Sequence, residues 1–386
     1  YFYEEPRLYT ITFAYSFVAV LGGLSVQHSA LLRRQMHFRN LASITVSASA
    51  LSILLGIVLG FMGTGYWALV AINVGNSFFS VILLWWKCSW RPDVTRVDKS
   101  IMDYVRFGAD ISGFNMINYF SRNLDNILIG KFIGSSALGL YNRAYQLLMI
   151  PITQLRDPLN AVGIPAMSSL DFKGERYRGY YKQYVFLLAF FSMPVVVFLA
   201  ICAEPIILLV LGENWIEASL IFQLLAIVAF IQPAASTRGM VLISSGQSRR
   251  YLYWGLINAI LVIIAFFIGI NWNINGLIIA YAVVNYVILI PSLIFCFHNT
   301  SVRLGDFLTE ASSPAIFSII GGVITYLVYQ QVPDWPSIAI LAICFPVFVI
   351  GYLLPWVVMP VTRNRLLKVK ELTQSVLVSL KNRKKK

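Results

Sequence analysis

Charge is what this chain has least of. Only 12% of its 386 residues are Asp, Glu, Lys or Arg, against 58% hydrophobic. A globular domain of this length carries roughly 25% charged residues, so a water-soluble fold is excluded. Cysteine is scarce as well. Cys88, Cys202, Cys296 and Cys344 lie far apart, form no CxxC pair and read as apolar helix residues, not disulfides or ligands. His28, His37 and His298 form no HExxH pattern and no metal-ligand cluster. No catalytic set, metal site or ATP-binding motif is legible. Tyr1 to Arg7 is not a basic n-region, so no signal peptide is expected. The chain does not open on Met and reads as a fragment.

What is present is a series of apolar runs of the length needed to cross about 30 Å of hydrocarbon. Eleven spans are predicted: 8–27, 41–62, 66–86, 107–133, 137–165, 180–211, 218–244, 251–271, 276–297, 313–330 and 337–359. The connections alternate in charge. One set, with the tail from Arg363 to Lys386, holds 24 of the 30 Lys and Arg residues; the other holds a single cation, Arg7, and five acids. The positive-inside rule puts the basic set and the C-terminus in the cytoplasm. The net charge of +13 therefore records topology and does not imply nucleic acid. The tail repeats Leu366, Leu367, Val369, Leu372, Val376, Leu377 and Leu380 near helical spacing. It reads either as an amphipathic helix on anionic lipid or as a solvated anchor.

Five cations remain inside the predicted spans: Arg122, Lys131, Arg143, Arg156 and Arg238. A charge near the bilayer centre costs about 2.5–3.5 kcal/mol on insertion scales. Such residues need a watery cavity or a partner. Asp110, Asp125 and Asp157 are the acids at similar depth, with Glu204 near one span end. The balance is positive, which suits an anionic cargo. On a helical wheel Asp110, Asn115, Asn118, Ser121, Arg122, Asp125 and Asn126 fall within about 160° of arc. Arg122 and Asp125 are either a buried structural ion pair or part of a cavity wall. Asn115 and Asn118 are either helix glue or cavity polar groups, with Asn126 beside them. Pro151, Pro158 and Pro165 stand at seven-residue steps, and kinks are expected there. Pro194 and Pro205 are expected to break the sixth span and Pro233 the seventh.

A weak internal repeat runs at an offset of about 209–211 residues. An acidic loop, a span, a basic turn, a second span, a Gly-containing turn and a third span recur in order. Ala71, Val74 and Asn76 align with Ala280, Val283 and Asn285. The expected fold is an all-α polytopic membrane protein. Two pseudo-symmetric helical bundles surround a central cavity, the first bundle incomplete, with a C-terminal helix pair. The expected domains are 1–105 (three spans of the first bundle), 106–298 (a six-helix bundle), 299–359 (the terminal pair) and 360–386 (a basic cytoplasmic tail). Such parallel repeats suit alternating access.

Four stretches carry a family resemblance. They are His28-Ser29-Ala30-Leu31-Leu32-Arg33-Arg34-Gln35-Met36-His37-Phe38-Arg39, Gly65-Tyr66-Trp67-Ala68-Leu69-Val70, Asn123-Leu124-Asp125-Asn126-Ile127-Leu128-Ile129-Gly130 and Leu138-Gly139-Leu140-Tyr141-Asn142-Arg143-Ala144-Tyr145. With Gly212-Glu213-Asn214-Trp215 as an outer-loop G-x-x-W, the chain resembles the multidrug/oligosaccharidyl-lipid/polysaccharide exporter superfamily, and within it the WzxC-like lipopolysaccharide flippases. That family's opening spans are absent before Tyr1. The resemblance implies translocation of an undecaprenyl-pyrophosphate-linked oligosaccharide across the bacterial inner membrane, with no enzymatic activity. Arg122, Arg143, Arg156 and Arg238 are the expected substrate-binding cations, with Asp125 and Asp110 as coupling or pairing acids and Asn115, Asn118 and Asn126 as polar cavity residues. No cofactor is expected beyond a coupling H⁺ or Na⁺. The expected partners are the lipid-linked oligosaccharide, membrane lipids and a polysaccharide polymerase or glycosyltransferases. Two rival readings stand. A multidrug antiporter of the same superfamily should have an acidic cavity. A polymerase or other non-transporting component of an envelope-polysaccharide complex should show a large outer loop or acidic metal motifs.

Overall fold

A computed structural model describes residues 7–35, 37–92, 119, 123–333 and 335–359. Every regular element among the described residues is helical. The chain divides into two compact units at Gly113 and Phe114, each considered by itself.

The first unit holds α1 (Arg7–Arg34), α2 (Phe38–Phe61) and α3 (Trp67–Lys87). Helix α3 packs along both of the others. Gly63 and Gly65, with φ of 77° and 61°, make the short turn that returns α3 along α2; only glycine adopts this backbone at no steric cost. Gly56 lets α3 approach closely, since a Cβ there would lie 2.2 Å from Ile72 Cγ1. The indole N–H of Trp85 donates to the Leu24 carbonyl at 3.0 Å and Lys87 donates to Ser43 at 2.9 Å, tying α3 to its neighbours.

The second unit begins with α4 (Leu124–Leu128), which runs on as a π-helical turn (Ile129–Ile133), then α5 (Ser135–Ser168), α6 (Glu175–Ile201) and α7 (Ala203–Val210). A 3₁₀ turn (Glu213–Trp215) leads to α8 (Ala218–Ala235) and α9 (Thr237–Ser244). The chain continues through α10 (Ser248–Gly269), a second 3₁₀ turn (Ile270–Trp272), α11 (Asn273–Phe297), α12 (Leu304–Tyr329) and α13 (Ser337–Val358). Here α11 packs on α8 and α10, the pattern by which α3 packs on α1 and α2. The repeat thus recurs in three dimensions within each unit, including a positive-φ turn before the third helix, at Gly65 and at Asn273 (φ 59°).

Eight segments among the described residues are long and apolar enough to cross a membrane. One of them, Arg249–Phe297, contains both α10 and α11. The protein is an all-α, multi-pass membrane protein. Helix α5 is not among the eight segments, although at 34 residues it is the longest helix of the second unit. Of the predicted fourth span, only residues 119 and 123–133 are described.

Several helix limits differ from the hydropathy reading. Helix α12 starts at Leu304, nine residues before the predicted 313. Asp306 and Glu310 look aqueous in sequence, but each has a cation opposite on α6. The guanidinium of Arg178 grips Asp306 with two bonds of 2.8 and 2.9 Å, and Lys182 stands 3.4 Å from Glu310. The same Asp306 carboxylate accepts the Arg303 backbone N–H at 2.9 Å and so caps α12. The expected break at Pro194 is absent, because α6 runs through it. The break falls at Cys202, three residues ahead of Pro205. There the proline sits in the first turn of α7, where its missing N–H leaves no helix bond unmade. The seventh span breaks at Ser236, just past Pro233. Pro151, Pro158 and Pro165 interrupt nothing in α5.

An aromatic cluster joins α6 to α12 and α13: Phe186, Phe190, Phe317, Phe348, Tyr352 and the fully buried Trp356. Gly321 and Gly351 let α12 and α13 touch along their backbones, the small-residue contact expected where lipid supplies no hydrophobic drive between helices.

The connections of the second unit gather at two ends. At one, Ser301 Oγ donates to the carbonyls of Phe172 and Gly174 at 3.2 and 3.0 Å, and Arg250 donates to those of His298, at 2.8 Å, and Phe295. That end carries Lys173, Arg176, Arg249 and Arg303. At the other, the Ile129–Ile133 turn packs on α11, and Tyr329 and Val332 pack against the cluster of Cys202, Ile206, Ile340 and Cys344.

Candidate functional site: a polar stripe along α5

Helix α5 fails as an apolar span because one of its faces carries polar groups along much of its length, with Met149 between them. At 100° per residue, Asn142, Gln146, Thr153, Arg156, Asp157 and Asn160 fall within about 100° of arc, and Arg143 widens this to about 140°. From Asn142 to Asn160 the stripe runs about 27 Å at 1.5 Å per residue, nearly the hydrocarbon thickness of a bilayer. Asn142, Arg143, Gln146 and Asp157 are exposed; Thr153, Arg156 and Asn160 are half-buried. The opposite face, with Tyr141, Ala144, Leu148 and Ile152, is buried in the core of the unit. The helix is therefore held by its apolar face; its polar face is exposed near its start, while at the far end Asn160 accepts a hydrogen bond from the Tyr184 hydroxyl of α6.

Near the start of α5 the stripe opens onto a cavity of about 730 Å³, lined by Gly139, Asn142, Arg143, Tyr145, Gln146, Met149, Ile150, Thr153 and Trp215. Trp215 arrives from the connection between α7 and α8. Gly212, with φ 91°, begins that turn, and the Trp215 N–H donates to the Gly212 carbonyl at 3.1 Å. The Arg143 guanidinium lies 6.0 Å from the Trp215 ring centre and reaches Gln146 Oε1 at 3.4 Å. No carboxylate pairs with Arg143 among the described residues. Further along, Arg156 pairs with its neighbour Asp157, at 3.1 Å, so a pair and not a lone cation occupies that level.

Asp125, in the first turn of α4, lies against the start of α5. The Tyr141 hydroxyl donates to its Oδ2 at 2.7 Å and the Asn126 N–H to its Oδ1 at 2.8 Å. Asn126 Oδ1 is buried without a hydrogen-bond partner. The expected partner of Asp125, Arg122, lies outside the described residues, as do Asp110, Asn115 and Asn118. Arg238 stands apart from the stripe. It is enclosed between α9, α10 and α11, donating to the Ala235 carbonyl at 2.7 Å and to Ser292 Oγ, with Trp254 at 5.7 Å. The structure thus brings Arg143 together with Trp215 and Asp125 together with Tyr141; Arg238 has its own niche. Trp215 was visible in sequence only as part of a loop motif. Its meeting with Arg143 carries no local signal, because 71 residues separate the two.

These features define a multi-pass helical membrane protein with one polar helix face. The structure is similar to that of the lipid II flippase MurJ in an inward closed conformation, with a TM-score of 0.63 and 15% identity over 81% of this chain and 66% of that one. The family described as "Polysaccharide biosynthesis protein" matches residues 1–220, more than half of the chain, and the chain belongs to that family. Among curated relatives, the teichuronic acid biosynthesis protein TuaB of Bacillus subtilis is 28% identical over 255 residues, 66% of this chain and 53% of the relative. The lipopolysaccharide biosynthesis protein WzxC of Escherichia coli is 23% identical over 68% of this chain and 53% of its own length. The succinoglycan biosynthesis transport protein ExoT of Rhizobium meliloti is 23% identical over 81% and 63%. The chain spans about half the length of the first two of these relatives. The resemblance to WzxC-like proteins read from the sequence agrees with the comparisons, which find WzxC among the relatives and a polysaccharide biosynthesis family.

Proposed function

We propose that the protein carries a lipid-linked, anionic oligosaccharide across the bacterial inner membrane for polysaccharide assembly, and that the stripe on α5 lines its path. The observation that supports this most is the stripe itself: exposed and cationic at Arg143, carrying the Arg156–Asp157 pair further along, and about as long as the hydrocarbon is thick. Lipid cannot accept such a face. A water-filled path can, and polar head groups could move along it while the lipid tail stays in the bilayer. The relatives' names, which speak of teichuronic acid, lipopolysaccharide and succinoglycan transport, agree with a glycan cargo.

Within this reading Arg143, Arg156 and the expected Arg122 contact cargo. Arg238, already bonded to Ser292 and Ala235, braces α9 against α11. Asp125, held by Tyr141, is the residue through which a proton or Na⁺ would couple transport. The basic connections and the C-terminus lie in the cytoplasm, which puts the cavity beside Trp215 at the outward end of α5. A carrier fits better than an enzyme, since the only reading of the stripe that uses its full length is passage. An antiporter for cationic drugs is disfavoured by the unpaired Arg143 in the cavity.

The test is polysaccharide export in a strain lacking its own flippase for the same glycan. The intact gene should restore export. Arg143→Ala should cut export at least about tenfold, as losing a charge-assisted contact implies, with the protein present at normal level. Export undiminished by Arg143→Ala and Arg156→Ala together would remove the cations from the mechanism.

A further inference from the structure

The cavity beside Trp215 has features that passage alone does not require. We propose that it is a carbohydrate-binding subsite for a carboxylated sugar residue; this rests on the translocation reading above and specifies which part of the cargo docks here. Three observations carry the assignment. First, the cavity places an indole beside amides. Trp215 is half-buried, fixed by the Gly212 turn and packed against the core of the unit, so its ring is a rigid wall. An aromatic face is electron-rich and suits the C–H face of a pyranose ring. Second, Asn142 and Gln146 each carry both a donor and an acceptor. Sugar hydroxyls also do both, whereas a phosphate only accepts, so half of that capacity would be wasted on a phosphate. Third, among the described residues the cavity lining has one cation, Arg143, and no acid. A single guanidinium matches a carboxylate of one negative charge in a two-bond fork; a pyrophosphate carries more charge than one arginine neutralises. The volume of about 730 Å³ lies within the usual range for ligand pockets, about 300–1,000 Å³, and accommodates a sugar ring with room for its neighbour. Arg143 is poised for the role. Its bond to Gln146 is long, at 3.4 Å, and its stacking distance to Trp215 is loose, at 6.0 Å, so a carboxylate can take the guanidinium without first breaking an ion pair.

The experiment is calorimetric titration of the full-length protein in lipid nanodiscs with tetragalacturonate, with maltotetraose as its neutral counterpart, with inorganic pyrophosphate, and separately with undecaprenyl pyrophosphate that carries no sugar. The wild type should bind tetragalacturonate about tenfold more tightly than maltotetraose, the value of one charge-assisted contact. Arg143→Gln should abolish that preference, and Trp215→Leu should weaken both sugars. Both variants should keep the wild-type protein level and melting temperature in detergent, which shows that they are folded. Equal binding of the acidic and neutral sugars by the wild type would overturn the subsite. So would tetragalacturonate binding that survives both substitutions, or its displacement by equimolar inorganic pyrophosphate, which would make this a phosphate site. In those cases retained undecaprenyl pyrophosphate binding leaves the translocation reading standing. A wild type that binds no undecaprenyl pyrophosphate would overturn that reading, and the subsite with it.

Discussion

At the residue scale, three arginines in or beside the membrane differ by what surrounds them. Arg143 is exposed and, among the described residues, without a carboxylate; Arg238 is enclosed and bonded to Ser292 and Ala235; Arg178 is paired with Asp306. They should therefore fail differently. Arg238→Ala removes a cation that holds two helices and leaves buried acceptors behind, a loss of about 1.5–3 kcal/mol for hydrogen bonds to a charged group. Its protein level, read by immunoblot, should fall in step with export. Arg143→Ala should lower export alone. The Arg178 and Asp306 pair allows a reciprocal test. Either single reversal, Arg178→Asp or Asp306→Arg, should lower the melting temperature in detergent, and the double reversal should recover part of the loss. No recovery would mean that the two act separately.

At the scale of elements, sequence and structure agree where hydropathy dominates and part where a partner far along the chain decides. The apolar helices α1–α3, α8 and α13 lie where their composition puts them, because burial in lipid needs nothing beyond length and apolarity. The start of α12 was missed because Asp306 becomes acceptable only beside Arg178, 128 residues earlier. Asp125 was expected to pair with Arg122, which lies outside the described residues; the Tyr141 contact was not foreseen, because it needs the Gly134 turn (φ 121°) to fold α5 back onto α4. The polar stripe of α5 was legible only in part. Arg143 and Arg156 stood out as charges, whereas Asn142, Gln146, Thr153 and Asn160 join them only once the helix is known to run unbroken through three prolines. The α12–α13 contact gives the element-scale prediction. A Cβ at Gly321 would meet the Tyr352 backbone nitrogen at 3.0 Å and the Phe348 carbonyl at 3.3 Å. Neither is a movable side chain, so Gly321→Val should cost about 1–3 kcal/mol by overpacking. Chemical denaturation in mild detergent measures it, with Gly305→Val, where nothing lies within 4 Å, as the tolerant control.

At the scale of the whole molecule, the chain is a multi-pass helical membrane protein whose second unit exposes polar groups along one face of α5. Sidedness follows from the same frame. Glu213→Cys should react with a membrane-impermeant thiol reagent in intact cells, and Lys173→Cys only after permeabilisation. The reverse at both positions would invert the topology. The central claim, that the stripe on α5 meets water at membrane depth, is tested most directly by cysteine scanning from 141 to 160 in native membranes. The four native cysteines, all buried and free, should be silent or can be replaced. The account predicts reaction at Asn142, Gln146, Thr153 and Asp157, and protection at Tyr141, Ala144, Leu148 and Ile152, a pattern with helical period. Protection at every stripe position, or equal reaction on both faces, would contradict it.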